Sequence, residues 1–367
     1  MKVLAAARHP GSAEAIGPVV HELRAQGHEV LLIGVDGDLP HTRGFGGSAA
    51  VLRAQGVAFV ELYDSGYSGG VVDVPESYGT GLIHSFGPDI ILVGCSTWQG
   101  EGRAAVEEVL IASGVRAGIR VVQVAESWGV WSPWSGFPTL WATLDQLSAS
   151  ILIDRGAPPD RIVITGHPGL DRYSGGRPRS RLPQQELGVR GDERLVVYFG
   201  QAAVPGATLE VPDALQWVVD SLRSGDRLAF SRHPRDRRDF SDIMARAGGL
   251  AVDTTLDSHE LLAMADVSIT QYSTMGLKSA LLDIPTINIL LDGDLSELRE
   301  SCGGYPLSIV GGSHEVHSER ELKHVLARDL SGNAAAVKAA LNVDGNATER
   351  VVRLVIDGQT VPPGVSR

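Results

Sequence analysis

The sequence predicts an α/β protein built as two Rossmann-like domains, each a parallel sheet with helices on both faces. Three observations carry this expectation. Short β-branched or apolar runs alternate with amphipathic stretches through both halves of the chain. The pattern breaks at a Gly-, Pro- and Arg-punctuated segment and then restarts. The 367 residues exceed what one doubly wound domain uses, and they suffice for two cores.

In the first half, strands are expected at Val3–Ala7, Glu29–Gly34, Ala58–Tyr63, Ile90–Gly94, Arg120–Val124 and Arg161–Thr165. Between the first two, Ile16, Val19, Val20 and Leu23 share one helical face, and Gly27 suits a left-handed C-terminal cap. The break is SGGRPRSRLPQQELG, which sets an N-terminal domain at residues 1–173, a linker at 174–188 and a C-terminal domain at 189–345. A C-terminal helix and tail occupy 346–367. The second half places strands at Arg194–Gly200, Arg227–Pro234, Leu250–Thr255, Val267–Thr270 and Thr286–Leu291, with a helical pair, ERELKHVLARDL and NATERVVRLVIDG, near the end.

A formal net charge of −12 argues against a phosphate-backbone binder, and no nucleic-acid partner is expected. No run approaches the roughly 20 apolar residues of a membrane span. The apolar start before Arg8 is too short for a signal-peptide core, so a cytoplasmic location is expected, with Cys95 and Cys302 as reduced thiols.

In open parallel sheets ligands bind beyond the carboxyl ends of the strands, so the strand-to-helix loops hold the candidate residues. The first loop, ARHPGSAEA, offers His9, Gly11, Ser12 and Glu14; it reads as a helix start facing an anion or sugar hydroxyl, or as a plain N-cap and turn. GCSTWQGEGR offers Ser96, Thr97 and Glu101, the last a general base or only a partner for the helix dipole. AESWGVWSPWSGFPTLW carries Glu126 and four of the six tryptophans. Trp128 and Trp131 suit stacking on an acceptor, packing of the loop, or a homodimer contact.

The second half has Gly200 and Gln201 after its first strand. SRHPRDRR follows its second, with Arg232, His233 and Arg235 set for a diphosphate or for a solvated helix start. In ITQYSTMGLKSALLDIP a buried strand ends at Gln271 and Tyr272, Ser273 and Thr274 open a helix, and Lys278 lies one turn inside. Free N–H groups and hydroxyls there form a phosphate site, or an ordinary N-cap.

The pair TGHPGLDRY and YSTMGLKSALLDIP resembles the GT-B fold of bacterial Kdo-transferase-like and CDP-glycerol-transferase-like enzymes and of the non-hydrolysing UDP-GlcNAc 2-epimerases. The matching positions are Gly166, His167, Pro168 and Asp171, the His233-Pro234 pair, and Ser273 with Thr274. Lys278 stands where the family has a ribose-binding acid.

The resemblance implies two domains facing across a cleft, with an acceptor on the first (Gly11, Ser12, Ser96, Thr97, Trp128, Trp131). A nucleotide-sugar or nucleotide-alcohol donor would lie on the second (Gly200, Gln201, Arg232, His233, Arg235, Gln271, Tyr272, Ser273, Thr274, Lys278). It implies a glycosyltransferase moving a glycosyl or glycerol-phosphate-like group, with Glu101, Glu126 and His9 as catalytic candidates and neither metal nor cofactor. Accordingly Asp36-Gly37-Asp38 and Asp292-Gly293-Asp294 read as turns. The alternatives are a sugar-nucleotide 2-epimerase or hydrolase on the same fold, or a non-catalytic relative. Replacement of the epimerases' Gly-Thr-Arg-Pro-Glu by AARHPGSAE weighs against the epimerase.

Overall fold

A computed structural model describes residues 1–35, 47–62, 74–95, 99–100, 103–126, 128, 136–201, 209–233, 236, 238–254, 256–291 and 296–358. Two compact units emerge: unit 1 is Met1–Arg172 with Leu341–Arg367, and unit 2 is Tyr173–Ala340.

Unit 1 contains β1 (Lys2–Ala7), α1 (Pro10–Ala25), β2 (Glu29–Val35), α2 (Ala49–Ala54), β3 (Val60–Leu62), α3 (Glu76–Phe86) and β4 (Ile90–Val93). It continues with the short antiparallel pair β5 (Gln99–Gly100) and β6 (Arg103–Ala104), then α4 (Val106–Arg116), β7 (Arg120–Val124), β8 (Leu140–Thr143), α5 (Gln146–Asp154) and β9 (Ile162–Ile164). Its seven-stranded sheet runs β3-β2-β1-β4-β7-β8-β9, with every neighbouring pair parallel.

Strand β1 shows why this sheet is covered on both sides. Side chains alternate across a strand, and here both faces are apolar. Val3, Ala5 and Ala7 join the core built with α1, whereas Leu4 and Ala6 join the core built with α4. In α1, Pro10 takes the first turn, where its missing N–H costs nothing, and Ile16, Val19, Val20 and Leu23 are buried as their spacing predicts. Gly27 has φ 83°, the left-handed value expected of it. Strand β8 falls within the tryptophan-rich stretch, which reads as loop from sequence because proline and glycine punctuate it; Trp141 is the buried centre of that strand.

Unit 2 contains β10 (Arg194–Phe199), α6 (Val211–Ser221), β11 (Asp226–Ser231), α7 (Ser241–Arg246), β12 (Ala251–Thr254), α8 (Ser258–Met264), β13 (Val267–Thr270) and α9 (Thr274–Leu281). It ends with β14 (Thr286–Ile289), α10 (Ser296–Cys302), α11 (Pro306–Ile309), β15 (His314–Val316), α12 (Glu319–Leu326) and α13 (Ala334–Ala340). The sheet is parallel throughout, in the order β12-β11-β10-β13-β14-β15. Tyr198, Phe230 and Phe240 stack at its centre, with ring centroids 5.6 and 4.9 Å apart. Residues 174–188 run along α8: Arg177 donates to Ala265 O, Ser180 Oγ to Glu260 Oε2 at 3.0 Å and Gln184 Nε2 to Met264 O at 2.6 Å.

The two helices that read as a closing pair serve different units. Helix α12 packs in the core of unit 2, whereas α14 (Ala347–Asp357) returns to unit 1, burying Val351, Val352, Leu354 and Val355 with α1. TGHPGLDRY holds it there. Asp171 caps α14, accepting from Ala347 N at 2.9 Å, Thr348 N at 2.8 Å and Thr348 Oγ1 at 2.7 Å. Arg350 donates to Thr165 O at 2.7 Å and forks onto Asp344 at 2.7 and 2.8 Å. Gly166 (φ 77°) and Gly169 are tight: a Cβ would lie 2.9 Å from Asn342 O at the first and 2.7 Å from Glu14 O at the second.

Asp171→Ala should cost about 0.5–2 kcal/mol, the range for a lost N-cap, and should accelerate amide exchange in α14. The Arg350 hydrogen bonds hold the Asp344 carboxyl down to about 2. Its contribution is therefore present above the ordinary aspartate value of about 3.9 and lost as pH falls through the depressed one. Thermal melts of Asp344→Asn should show a deficit at neutral pH that closes towards pH 2.

Candidate functional site

In each sheet the chain winds outward in both directions from its first strand, so β1/β4 and β10/β13 are switch points where crossover helices depart to opposite faces and a crevice opens. Gly11, Ser12 and Glu126 of unit 1, and Gly200, Gln201, Tyr272 and Ser273 of unit 2, follow or adjoin these strand ends.

At the unit 1 switch point the first turn of α1 presses onto the strand ends. Gly94 leaves no room for a side chain, since a Cβ would sit 2.5 Å from Ser12 Cβ and 3.1 Å from Ser12 Cα. Ser12 Oγ donates to Cys95 O at 2.9 Å, with Glu126 Oε1 at 3.4 Å as a second, longer partner for the same proton. Glu126 follows β7 and lies over the helix start: a Cβ on Gly11 would meet its Oε2 at 2.7 Å. That Oε2 is buried and accepts no hydrogen bond from the described residues. Burial first, then the like charge of Glu107, pushes the Glu126 carboxyl well above the ordinary glutamate range, against a smaller pull from the Ser12 hydroxyl. The result is a carboxyl that holds its proton to higher pH than an exposed glutamate does.

The frame around it is polar and buried. Trp141 Nε1 donates to Gln123 Oε1 at 3.1 Å, and Gln123 Nε2 donates to Gly94 O at 3.2 Å, which fixes the end of β4. Ser48 Oγ donates to Ala7 O at 2.5 Å and accepts from Val35 N at 2.8 Å, joining the ends of β1 and β2. Cys95 is a free thiol donating to Val124 O at 3.0 Å; burial, then Glu126, raises it well above its usual value. It is therefore no nucleophile.

At the unit 2 switch point Ser273 caps α9, its Oγ accepting from Met275 N at 3.2 Å, and Thr274 is exposed in the first turn. The expected helix start is thus present, with the Thr274 N–H at its tip, while the Met275 and Gly276 amides already bond Ser273 Oγ and Ser273 O. Gly200 follows β10 and lies against the end of β11; a Cβ there would approach Phe230 Cε2 to 3.1 Å and His233 N to 3.6 Å. Tyr272 N donates to Gln201 Oε1 at 3.3 Å, tying the two strand ends together.

Several expected ligand contacts are instead braces. Gln271 uses its amide internally, donating to Leu209 O at 2.8 Å and accepting from Tyr198 Oη at 3.4 Å. Arg232 pairs with Asp253, donates to Arg238 O at 3.0 Å and lies 5.0 Å from the Phe240 ring centre. Arg238 grips Asp236 at 2.8 and 2.6 Å and Glu210 at 3.0 Å. Burial opposes ionisation of Asp236, yet the Arg238 hydrogen bonds hold its carboxyl below the ordinary aspartate value. Arg232 and Arg238 are therefore ion-paired within the unit. Lys278 is 6% exposed on the inner side of α9, while Thr274 is open. Trp128, expected at an acceptor surface, is 8% exposed and donates its indole N–H to Asp145 Oδ2 at 2.7 Å. It packs its loop against the N-cap of α5.

His9 occupies the N-cap position of α1, beside Arg8. Ser96, Thr97, Glu101, Trp131, Arg235 and both Asp-Gly-Asp turns lie outside the described residues. Two positions escape a sequence reading. Glu107, fully buried, accepts from Arg8 N at 2.5 Å, and Asn288 Nδ2 donates to Gln271 O at 2.7 Å beneath α9. Glu107 reads as a first-turn helix acid, and only the fold brings it to β1. Among the described residues no group of three or more His, Cys, Asp or Glu side chains is placed to hold a metal ion. No helix there is long and apolar enough to cross a membrane.

No protein-family model matches the sequence, and no curated protein matches it. Solved structures match over the whole chain. A UDP-N-acetylglucosamine 2-epimerase superposes with TM-score 0.65 at 14% identity, covering 100% of this chain and 99% of its own. The UDP-GlcNAc 2-epimerase of Neisseria meningitidis, bound to UDP-GlcNAc, gives 0.61 at 11%, covering 97% and 100%. MurG of Acinetobacter baumannii gives 0.55 at 12%, covering 97% and 99%. The chain has the GT-B fold, two parallel-sheet α/β units.

Gly11→Ala and Gly94→Ala should separate function from stability. The first meets the movable end of Glu126, so it should displace that carboxyl with little loss of Tm. The second meets the α1 backbone and should cost about 1–3 kcal/mol by overpacking, read by chemical denaturation.

Proposed function

We propose that this chain is an enzyme acting on a nucleotide-activated sugar, and that its reaction is transfer of the glycosyl group to an acceptor hydroxyl. The observation that carries the reading is the unit 2 switch point. Thr274 is exposed at the Ser273-capped start of α9, and Gly200 and His233 follow the neighbouring strands β10 and β11, a placement at strand ends that suits a diphosphate. The GT-B neighbours named for UDP-sugars support the same ligand class.

In this reading the acceptor oxygen attacks the anomeric carbon, the carbon–phosphate oxygen bond breaks, and the electron pair leaves on the diphosphate. The Thr274 N–H and hydroxyl, with His233, stabilise that departing charge, as preorganised donors do. Glu126 takes the acceptor proton. Its raised proton affinity makes it a stronger base once deprotonated.

The neighbours named as 2-epimerases favour a second reading, in which Glu126 moves a proton on the sugar itself. Incubation with UDP-GlcNAc and no acceptor distinguishes them. A second sugar-nucleotide epimer in the proton NMR spectrum supports epimerisation, and intact donor supports transfer.

Titration calorimetry with UDP should show His233→Ala and Thr274→Ala each weakening binding about 10- to 100-fold, the loss of one hydrogen bond to a charged group. Unchanged affinity in both variants would refute the site. Glu126→Gln should lower kcat about 10²- to 10⁴-fold. It should also remove an acidic limb of the pH profile whose midpoint lies above the ordinary glutamate value of about 4.3.

A further inference from the structure

We propose that Glu107 is a positioning residue for Glu126: by accepting the Arg8 N–H it fixes the β1–α1 turn, and with it the Gly11–Ser12 floor on which the Glu126 carboxyl rests. The inference depends on Glu126 being the proton-carrying group of unit 1, and it adds a residue outside the set that touches substrate.

The geometry runs through four contacts. Glu107, the second residue of α4, is fully buried, and its Oε1 accepts from Arg8 N at 2.5 Å, across β1 from its own helix. Arg8 is itself buried, and its carbonyl accepts from Ser48 N at 2.9 Å, so the turn is held from both sides. His9 O receives the first α-helical bond, from Ala13 N at 2.9 Å, which starts α1 at that point. Gly11 then places its Cα directly beneath Glu126 Oε2. Glycine at 94 lets the turn approach the strand ends closely. The Glu107 hydrogen bond anchors it along the sheet together with the Ser48–Arg8 and Ser12–Cys95 bonds.

The arrangement also makes the two carboxyls a pair. Glu107 Oε2 and Glu126 Oε2 are both buried and accept no hydrogen bond from the described residues. Two such groups in one low-dielectric region do not ionise together without cost, and their titrations couple. Burial raises Glu107 above its ordinary value, but the Arg8 charge and N–H oppose that rise. The Arg8 charge thus favours the ionised form of Glu107, and the negative charge of Glu107 in turn raises Glu126. Among the described residues, Glu14 on α1 also acts on Glu126 and Cys95 after β4 couples to both carboxyls, with Glu108 beside Glu107 acting on Cys95. Glu14 adds to the same effect on Glu126, and Arg172 offsets it with an ion pair at 3.6 Å. Cys95 stays neutral.

The test uses carboxyl-carbon NMR titration of the full-length chain labelled at glutamate, which reads Glu126 without any substrate. Glu107→Gln keeps an oxygen for Arg8 N–H and removes the charge. The Glu126 midpoint should fall by about 1 unit, the size that marks coupled carboxyls. Glu107→Ala also removes the acceptor, and should shift the amide resonances of residues 8–13 while Glu107→Gln leaves them in place. An unmoved Glu126 midpoint in Glu107→Gln, or unmoved turn resonances in Glu107→Ala, would overturn the proposal. If the Glu126 midpoint moves but the chain turns over no sugar nucleotide, the pair stands and the proposed function fails. If Glu107→Ala does not fold, Glu107→Asp, which retracts the acceptor by one methylene, takes its place in the resonance comparison.

Discussion

The contact on which unit 1 depends is the landing of the first turn of α1 on the ends of β4 and β7. Gly94 permits it, since any side chain there would meet the Ser12 backbone. Ser12 pins it through Cys95 O, and Gln123 with Trp141 holds the strand end from behind. A helix start placed that close to a strand end leaves space above it for one short side chain, and Glu126 fills that position. Its unusual proton affinity follows from the packing rather than from any special chemistry of its own: burial raises it first, and the like charge of Glu107 adds to it.

Unit 2 repeats the topology and spends it differently. Its switch point has no buried acid over the helix start; it has a serine cap, an exposed threonine and a glycine on the neighbouring strand end. Of the arginines that suggest a strong cationic pocket, Arg232 and Arg238 pair with Asp253, Asp236 and Glu210, and Arg232 lies over the face of Phe240. The described helix start offers an anion backbone N–H and hydroxyl. Such a site recognises phosphate by geometry more than by net charge, in keeping with the acidic balance of the chain.

The fold was legible because parallel sheets covered on both faces write long apolar runs, and β1, β4, β10 and β13 all do so. Strand β8 was not, since its four residues follow a Gly- and Pro-rich loop and its centre is a tryptophan that equally suits a surface. The return of α14 to unit 1 was hidden for a different reason: an amphipathic helix shows which face it buries, but not against what. Only the Asp171 cap and the Arg350–Thr165 contact decide that. At the sites, the helix-start residues Gly11, Ser12, Ser273 and Thr274 were readable from turn and cap chemistry. The roles of Gln271, Arg232 and Trp128 were not, because whether a polar side chain faces a ligand or a neighbour depends on partners distant in sequence, such as Leu209, Asp253 and Asp145.

The claim that unit 2 holds a nucleotide diphosphate is tested most directly by a crystal structure of the chain grown with UDP. Density for the diphosphate within hydrogen-bond distance of the Thr274 backbone N–H and hydroxyl is the predicted result. A nucleotide bound elsewhere on unit 2, with that helix start unoccupied, would contradict it.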